Sequence, residues 1–215
     1  MPKLREGDVE KNQEKIEAAA LRLFIRRGFY GTSVRDIAQE AGVSLGNIYN
    51  YYRTKEQLFS SLVRRYGQKM GALQQKLLSP LLGDLDPPTL KRLAQAVRRI
   101  VYQEPDYWRL MYIDITEFDN RHFAHIFRDL SRSLQKMMQP GSPMGNGLRP
   151  QINAPLAFTA IYLQFFTYFL VEKLFGGKQH LGMPEERAIA QLIEIYTRGA
   201  LAEHPSRRQV RRRRP

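Results

Sequence analysis

The 215-residue chain contains no cysteine, which excludes disulfides and thiolate metal sites and fits a reducing compartment. Its first residues, MPKLREGDVEKNQEK, lack the apolar core of a secretory signal, so a cytoplasmic protein is expected. Long hydrophobic runs are missing too. The one candidate, PLAFTAIYLQFFTYFLV at 155–171, carries Thr159, Gln164 and Thr167 and falls short of the roughly 20 residues that span a bilayer. A helix apolar on all sides must be covered by something, and in a chain this small a natural cover is a second copy of itself. The signatures of catalysis are absent as well: no P-loop, no Gly-x-Ser-x-Gly elbow and no His-Glu-x-x-His, while Gly145-Asn146-Gly147 has no phosphate-binding context. Of four histidines, His122 and His125 could pair on one helix with Asp114 or Glu117 nearby, but no third fixed ligand accompanies them. The expectation is therefore no enzyme, no metal and no cofactor.

Positive charge, by contrast, is plentiful: the formal net charge is +13, and six of the arginines fall in the acid-free tail 205–215. Such a run repels itself, stays solvated and makes at most nonspecific contact with polyanions. Net charge alone thus says little about specific nucleic-acid binding.

No strand alternation and no repeat compete with helical periodicity, so the fold is expected to be all-α. Ile16, Ala19, Ala20, Leu23 and Phe24 recur at helical spacing, and Gly28 supplies the stop. Thr32 or Ser33 can cap a short helix bearing Val34, Ile37 and Ala38. A turn at Ala41-Gly42-Val43 leads to a second short helix over 44–51. Thr54-Lys55-Glu56-Gln57 then reads as a capping box opening a long helix toward Leu78, ended by Ser79-Pro80. Further helices are predicted at about 88–103, 105–118, 120–139, 151–175 and 184–203, with one long Gly/Pro-rich loop at 139–150.

Two helices crossing steeply need a small residue at the contact, a residue tolerant of left-handed geometry in the turn and apolar positions facing inward. Ile37, Ala38, Gly42, Val43 and Ile48 supply these at helix-turn-helix spacing. With Val43 and Ile48 inward, Ser44, Leu45, Asn47, Tyr49 and Asn50 face outward or toward the rim. Tyrosine hydroxyls and asparagine amides suit phosphate oxygens, and the first residues of a recognition helix suit base edges in the major groove.

Residues 9–59 resemble the DNA-binding head of the tetracycline-repressor (TetR) family. The family's run appears here as Phe24, Gly28, Phe29, Thr32, Ser33, Val34, Ile37, Ala38, Ala41, Gly42, Val43, Ser44, Gly46, Ile48, Tyr49, Tyr51, Tyr52, Lys55, Glu56 and Leu58, without a gap. The resemblance implies a helix-turn-helix head at 9–55, a helical ligand-binding and dimerisation domain at 56–204 and a basic tail at 205–215. It implies that Thr32 and Ser44 offer hydroxyls to phosphates, that Tyr49 and Tyr51 line the DNA backbone, that Lys55 adds its charge at a helix N-terminus, that Gly46 permits close approach and that Asn47 points at bases. Tyr52 matches an aromatic packed between helices. Leu45 departs from the family pattern, where Lys or another polar residue is common; a leucine can make only apolar contact, for example with a thymine methyl.

The same resemblance implies a dimeric repressor that binds a palindromic double-stranded operator and leaves it when a small hydrophobic or aromatic effector binds. The helices at 151–175 and 184–203 would form the dimer interface. Candidate effector contacts are Trp108, Met111, Tyr112 and Phe118 on one helix and Phe158, Tyr162, Phe165 and Phe166 on another. Asp114 and Glu117 could pair with a cationic effector. Control by a protein partner, or no effector at all, is the alternative. A membrane-surface role is not expected, because no amphipathic helix with Lys/Arg along its polar face accompanies the tail.

Overall fold

Helix α1 (Glu6–Arg27) buries Ile16, Ala19, Ala20, Leu23 and Phe24 and stops at Gly28, whose φ of +74° is a left-handed conformation that glycine adopts without a Cβ clash. In this computed structural model, residues 6–81, 86–125, 128, 153–176 and 181–198 are described. Beyond α1 they form α2 (Val34–Ala41), α3 (Leu45–Tyr51), α4 (Lys55–Leu78), α5 (Pro87–Gln103), α6 (Pro105–Phe118), α7 (Ala154–Leu174) and α8 (Glu185–Arg198). No strand occurs among the described residues, and none of their helices is long and apolar enough to cross a membrane.

Local chemistry sets most boundaries. Ser33, not Thr32, caps α2, and it does so reciprocally: its Oγ accepts from the Asp36 N–H at 3.1 Å and its own N–H donates to Asp36 Oδ2 at 2.9 Å. Thr54 caps α4 by accepting from the Gln57 N–H at 3.1 Å. The expected return bond differs, because Gln57 Oε1 accepts from Arg53, one residue before the cap. Pro105 opens α6 at a position where its missing N–H is no loss.

The expected helix at 120–139 does not begin at 120. Asp119 and Asn120 are both left-handed, with φ of 53° and 59°, and the Asn120 N–H returns to Asp114 O at 3.0 Å, so α6 closes and 119–123 form turns. Except for 124, 125 and 128, the rest of that stretch lies outside the described residues, as do the loop at 139–150 and the tail.

The chain divides into two units, one holding α1–α4 with α6, the other holding α7, α8 and residues 87–98 of α5. Helix α6, placed by expectation in the sensing body, packs on α1 and α4 in the same unit as the head. Aromatic rings join them: Phe118 of α6 lies 4.5 Å from Phe29 and 4.9 Å from Phe59, and Phe24 sits 5.5 Å from Phe29. Trp108 is buried and donates its Nε1–H to Val101 O at 3.2 Å.

In the second unit, α7 buries Phe158, Ile161, Phe165 and Phe169, α5 contributes Leu90, Leu93 and Val97, and α8 contributes Ala188, Ile189 and Ile193. Arg98 pairs with Glu185 at 2.9 Å. The opposite side of α7 leaves Leu156, Ala160, Leu163 and Thr167 exposed, a stripe at spacings of four, three and four that marks one helix face.

Candidate nucleic-acid interface

Gly42 ends α2 in the left-handed region (φ 66°), and the Val43 N–H returns to Ala38 O at 3.0 Å, which turns the chain sharply into α3. Ser44 caps α3, accepting from the Asn47 N–H at 3.2 Å while its hydroxyl proton stays available for a further acceptor. Ile48 is buried and anchors this seven-residue helix from below. The remaining side chains surround an outward face: Leu45, Asn47 and Tyr51 are half-buried, Gly46 and Asn50 are exposed, and Tyr49 is 50% exposed. A Cβ at residue 46 would meet nothing within 4 Å. The fold itself therefore does not require glycine there, and the open side faces away from the chain.

Tyr52 fastens the end of α3. It is buried, and its hydroxyl donates to Glu17 Oε1 at 2.7 Å while accepting from Gln13 Nε2 at 3.0 Å. Ser61 donates to the same Glu17 oxygen at 2.9 Å, and Arg65 pairs with Glu17 Oε2 and with Glu14 at 3.0 Å. Burial alone pushes the Glu17 carboxyl upward, but the bonds from Tyr52, Arg65 and Ser61 outweigh it and hold it below the ordinary value. The Tyr52 phenol is pushed up to about 12 by burial and by the adjoining Glu17. One carboxylate on α1 thus gathers α3's end and α4. Exposed pairs from Arg22 and Arg26 to Glu40 add a second tie between α1 and α2.

Two residues expected to face phosphate are engaged inside the protein. Thr32 is 1% exposed, and its hydroxyl donates to Gly28 O at 2.8 Å. Lys55 reaches back from the start of α4 to donate to Phe29 O at 2.7 Å and Thr32 O at 2.6 Å, with its Nζ 4.2 Å from the Phe29 ring centre. Burial lowers the Lys55 ammonium pKa, opposed by the nearby Glu117 charge. Both side chains brace the turn at 28–32; the short distance from Thr32 and Lys55 to main-chain carbonyls makes those carbonyls the partners.

The carboxylates expected to meet a cationic effector are also occupied. Asp114 is fully buried and accepts from the His122 N–H at 3.0 Å, the Phe123 N–H at 2.9 Å and His122 Nδ1 at 2.6 Å. Glu117 accepts from the Phe29 N–H at 3.1 Å and the Tyr30 N–H at 2.8 Å. Each caps a turn rather than lining a cavity. Phe118 belongs to the interhelix aromatic cluster, Trp108 and Met111 are buried, and Tyr112 is partly exposed, all in the first unit. Phe158 and Phe165 are buried in the second unit, where Tyr162 and Phe166 are half-buried with their rings stacked 6.1 Å apart. Between α7 and α8 lies an open groove of about 300 Å³ lined by Gln164, Thr167, Tyr168, Val171, Leu181 and Leu192. No group of three or more metal-ligating side chains occurs among the described residues.

Comparison with known proteins agrees with this geometry. Residues 16–62 match the family profile described as "Bacterial regulatory proteins, tetR family". The chain is 19% identical to the HTH-type transcriptional regulator YvkB of Bacillus subtilis, over 88% of this chain and 97% of that one. It is 26% identical to the HTH-type transcriptional repressor KstR2 of Mycolicibacterium smegmatis, over 70% and 74%. Other curated relatives match over about a third of their length. Among solved structures, the fold is shared with the transcriptional regulator FadR of Bacillus subtilis in complex with stearoyl-CoA, at a TM-score of 0.57 and 18% identity over 87% of this chain and 99% of that one. With the helix-turn-helix in place at the matched residues, residues 16–62 are a TetR-family DNA-binding domain, and the described residues beyond them fold mainly into helices.

Proposed function

We propose that the protein is a dimeric repressor that binds a palindromic DNA operator and leaves it when a small hydrophobic or aromatic effector binds. The observation that carries the DNA reading is the outward face of α3, where Tyr49, Asn50 and the open Gly46 have no task in the fold. Asn47 and Leu45 are assigned to base edges, Ser44, Tyr49, Asn50 and Tyr51 to the phosphate backbone. Thr32 and Lys55 serve this interface by shaping the turn behind it. The exposed stripe Leu156, Ala160, Leu163 and Thr167 supports a second copy as its cover, with Ile195 of α8 exposed as well. Two recognition helices about one DNA turn apart would then read a two-fold symmetric site.

The effector half of the reading is placed in the second unit. It is supported by the apolar groove of about 300 Å³ with Gln164 and Thr167 on its wall, a size at the lower end of ligand sites, and by the stearoyl-CoA that the FadR structure holds. With Asp114 and Glu117 occupied by backbone donors, an apolar effector fits better than a cationic one. Trp108, the single tryptophan, sits on α6 against the head and reports on that helix. Long-chain acyl and aromatic compounds are expected to change Trp108 emission and to release bound DNA over one concentration range, with DNA weakening the compound by the same factor. A broad panel that moves neither signal favours the alternative, a dimeric regulator controlled by a protein partner or by none.

A further inference from the structure

The turn between α1 and α2 is held from two sides by opposite charges. The Phe29 main chain donates its N–H to Glu117 on α6 at 3.1 Å, and its C=O accepts from Lys55 on α4 at 2.7 Å. The next N–H, from Tyr30, also goes to Glu117, at 2.8 Å, and the Thr32 carbonyl also accepts from Lys55. Gly28 is shaped to this arrangement: a Cβ there would collide with Glu117 Oε1. Tyr30 adds its ring, stacked against Phe118 at 6.3 Å.

These bonds lie at the rim of the protein. The Tyr30 contact is exposed, Tyr30 itself is 73% exposed and Glu117 is half-buried. Water can replace the carboxylate at the exposed Tyr30 N–H when the two part, so opening on that side is cheap. A bond that opens cheaply contributes little to overall stability. It is well suited to fixing the direction in which α2 and α3 leave α1, because turn 28–33 is the only chain link between α1 and the helix pair.

We propose that Glu117 is a positioning residue for DNA binding: a carboxylate latch by which α6 holds the α1–α2 turn, and with it the recognition helix α3, in the binding orientation. The proposal rests on the reading of α3 as the DNA-contacting helix. Displacing α6 draws the carboxylate from the two N–H groups, and the turn then relaxes around the remaining Lys55 bonds. Glu117 bonds the turn and not α3, so its effect on DNA passes through orientation.

The test compares the full-length protein with Glu117→Gln and Glu117→Ala, using DNA recovered by the wild type from a random pool. Gln keeps one acceptor oxygen but turns an NH₂ group toward the second donor, so an intermediate effect is expected from it and the larger effect from Ala. Amide exchange at Phe29 and Tyr30 should quicken at least about tenfold while amides within α4 stay protected. DNA affinity should fall about tenfold for Glu117→Ala at unchanged salt slope and unchanged sequence preference, since no phosphate or base contact is lost. All measurements are made where circular dichroism shows the variants fully folded, which separates lost orientation from lost stability. Wild-type affinity in Glu117→Ala, or amides at Phe29 and Tyr30 as protected as before, overturns the latch. Failure of the wild type to enrich any DNA instead overturns the reading on which the latch rests.

Discussion

Glutamate in place of Leu163 is expected to convert the protein from dimer to monomer and to weaken binding to its operator at least about 100-fold, or about 2.7 kcal/mol. Leu163 is 51% exposed in the single chain, near the middle of the stripe that runs from Leu156 to Thr167 on α7. The inner side of the same helix is committed to the core through Phe158, Ile161, Phe165 and Phe169. A helix apolar on both sides has a second face to bury, and a copy of itself offers the matching surface. A carboxylate at the centre of that surface would be desolvated without a partner, which costs several kcal/mol. A monomer carries one recognition helix and makes half the contacts. Sedimentation velocity on the wild type and on Leu163→Glu checks both steps. A wild type that sediments as a monomer at micromolar concentration, or a variant that stays dimeric, contradicts this interface.

The second large effect concerns Glu17. Its removal strands the hydroxyls of Tyr52 and Ser61 and one arm of Arg65. Breaking a buried pair on one side costs about 3–5 kcal/mol; because the Arg65 side chain remains 39% exposed, Glu17→Ala is expected at the low end, about 3 kcal/mol. Much of a small domain's margin would go with it. A pH dependence follows from the same contacts. The folded carboxyl is held below its ordinary value of 4.5, so the stabilisation is fully present above that value and fades as pH falls through the lower folded value. Thermal unfolding followed by circular dichroism from pH 7 to 3 should show an acid limb in the wild type that flattens in Glu17→Gln. Identical acid limbs in the two proteins would show that the network does not matter for stability.

The parts of this molecule that were legible in the sequence are those encoded by neighbours along the chain. Gly28, Ser33, Gly42, Ser44 and Thr54 fix helix ends within four residues of themselves, and Ile37, Ala38 and Ile48 mark the buried side by spacing alone. The head and its outward face follow from these. Tertiary partners were less legible. Lys55 has a flexible stem that can point to solvent or curl inward, and only the carbonyls of Phe29 and Thr32 decide between them. Thr32 was readable as a hydroxyl near DNA, and its bond to Gly28 O depends on the fold of the turn. Asp114 and Glu117 stand off the apolar stripe of α6, a pattern shared by effector-binding acids and by acids that cap backbone N–H groups from a distant turn. The sequence did hold one clue: Asp119-Asn120, a pair tolerant of left-handed geometry, forecasts the close of α6 and a following turn whose donors need an acceptor such as Asp114.

Selection of bound DNA from a random pool, run in parallel on the wild type, Asn47→Ala and Tyr49→Phe, tests the central claim most directly. The wild type is expected to enrich a two-fold symmetric sequence with half-sites about one helical turn apart. Asn47→Ala should change the enriched bases within each half-site, because its amide is assigned to a base edge. Tyr49→Phe should enrich the same sequence with affinity lowered about fivefold, the worth of one hydroxyl bond to phosphate at about 1 kcal/mol. No enriched sequence for the wild type, or an unchanged preference in Asn47→Ala, would contradict the placement of α3 in the major groove.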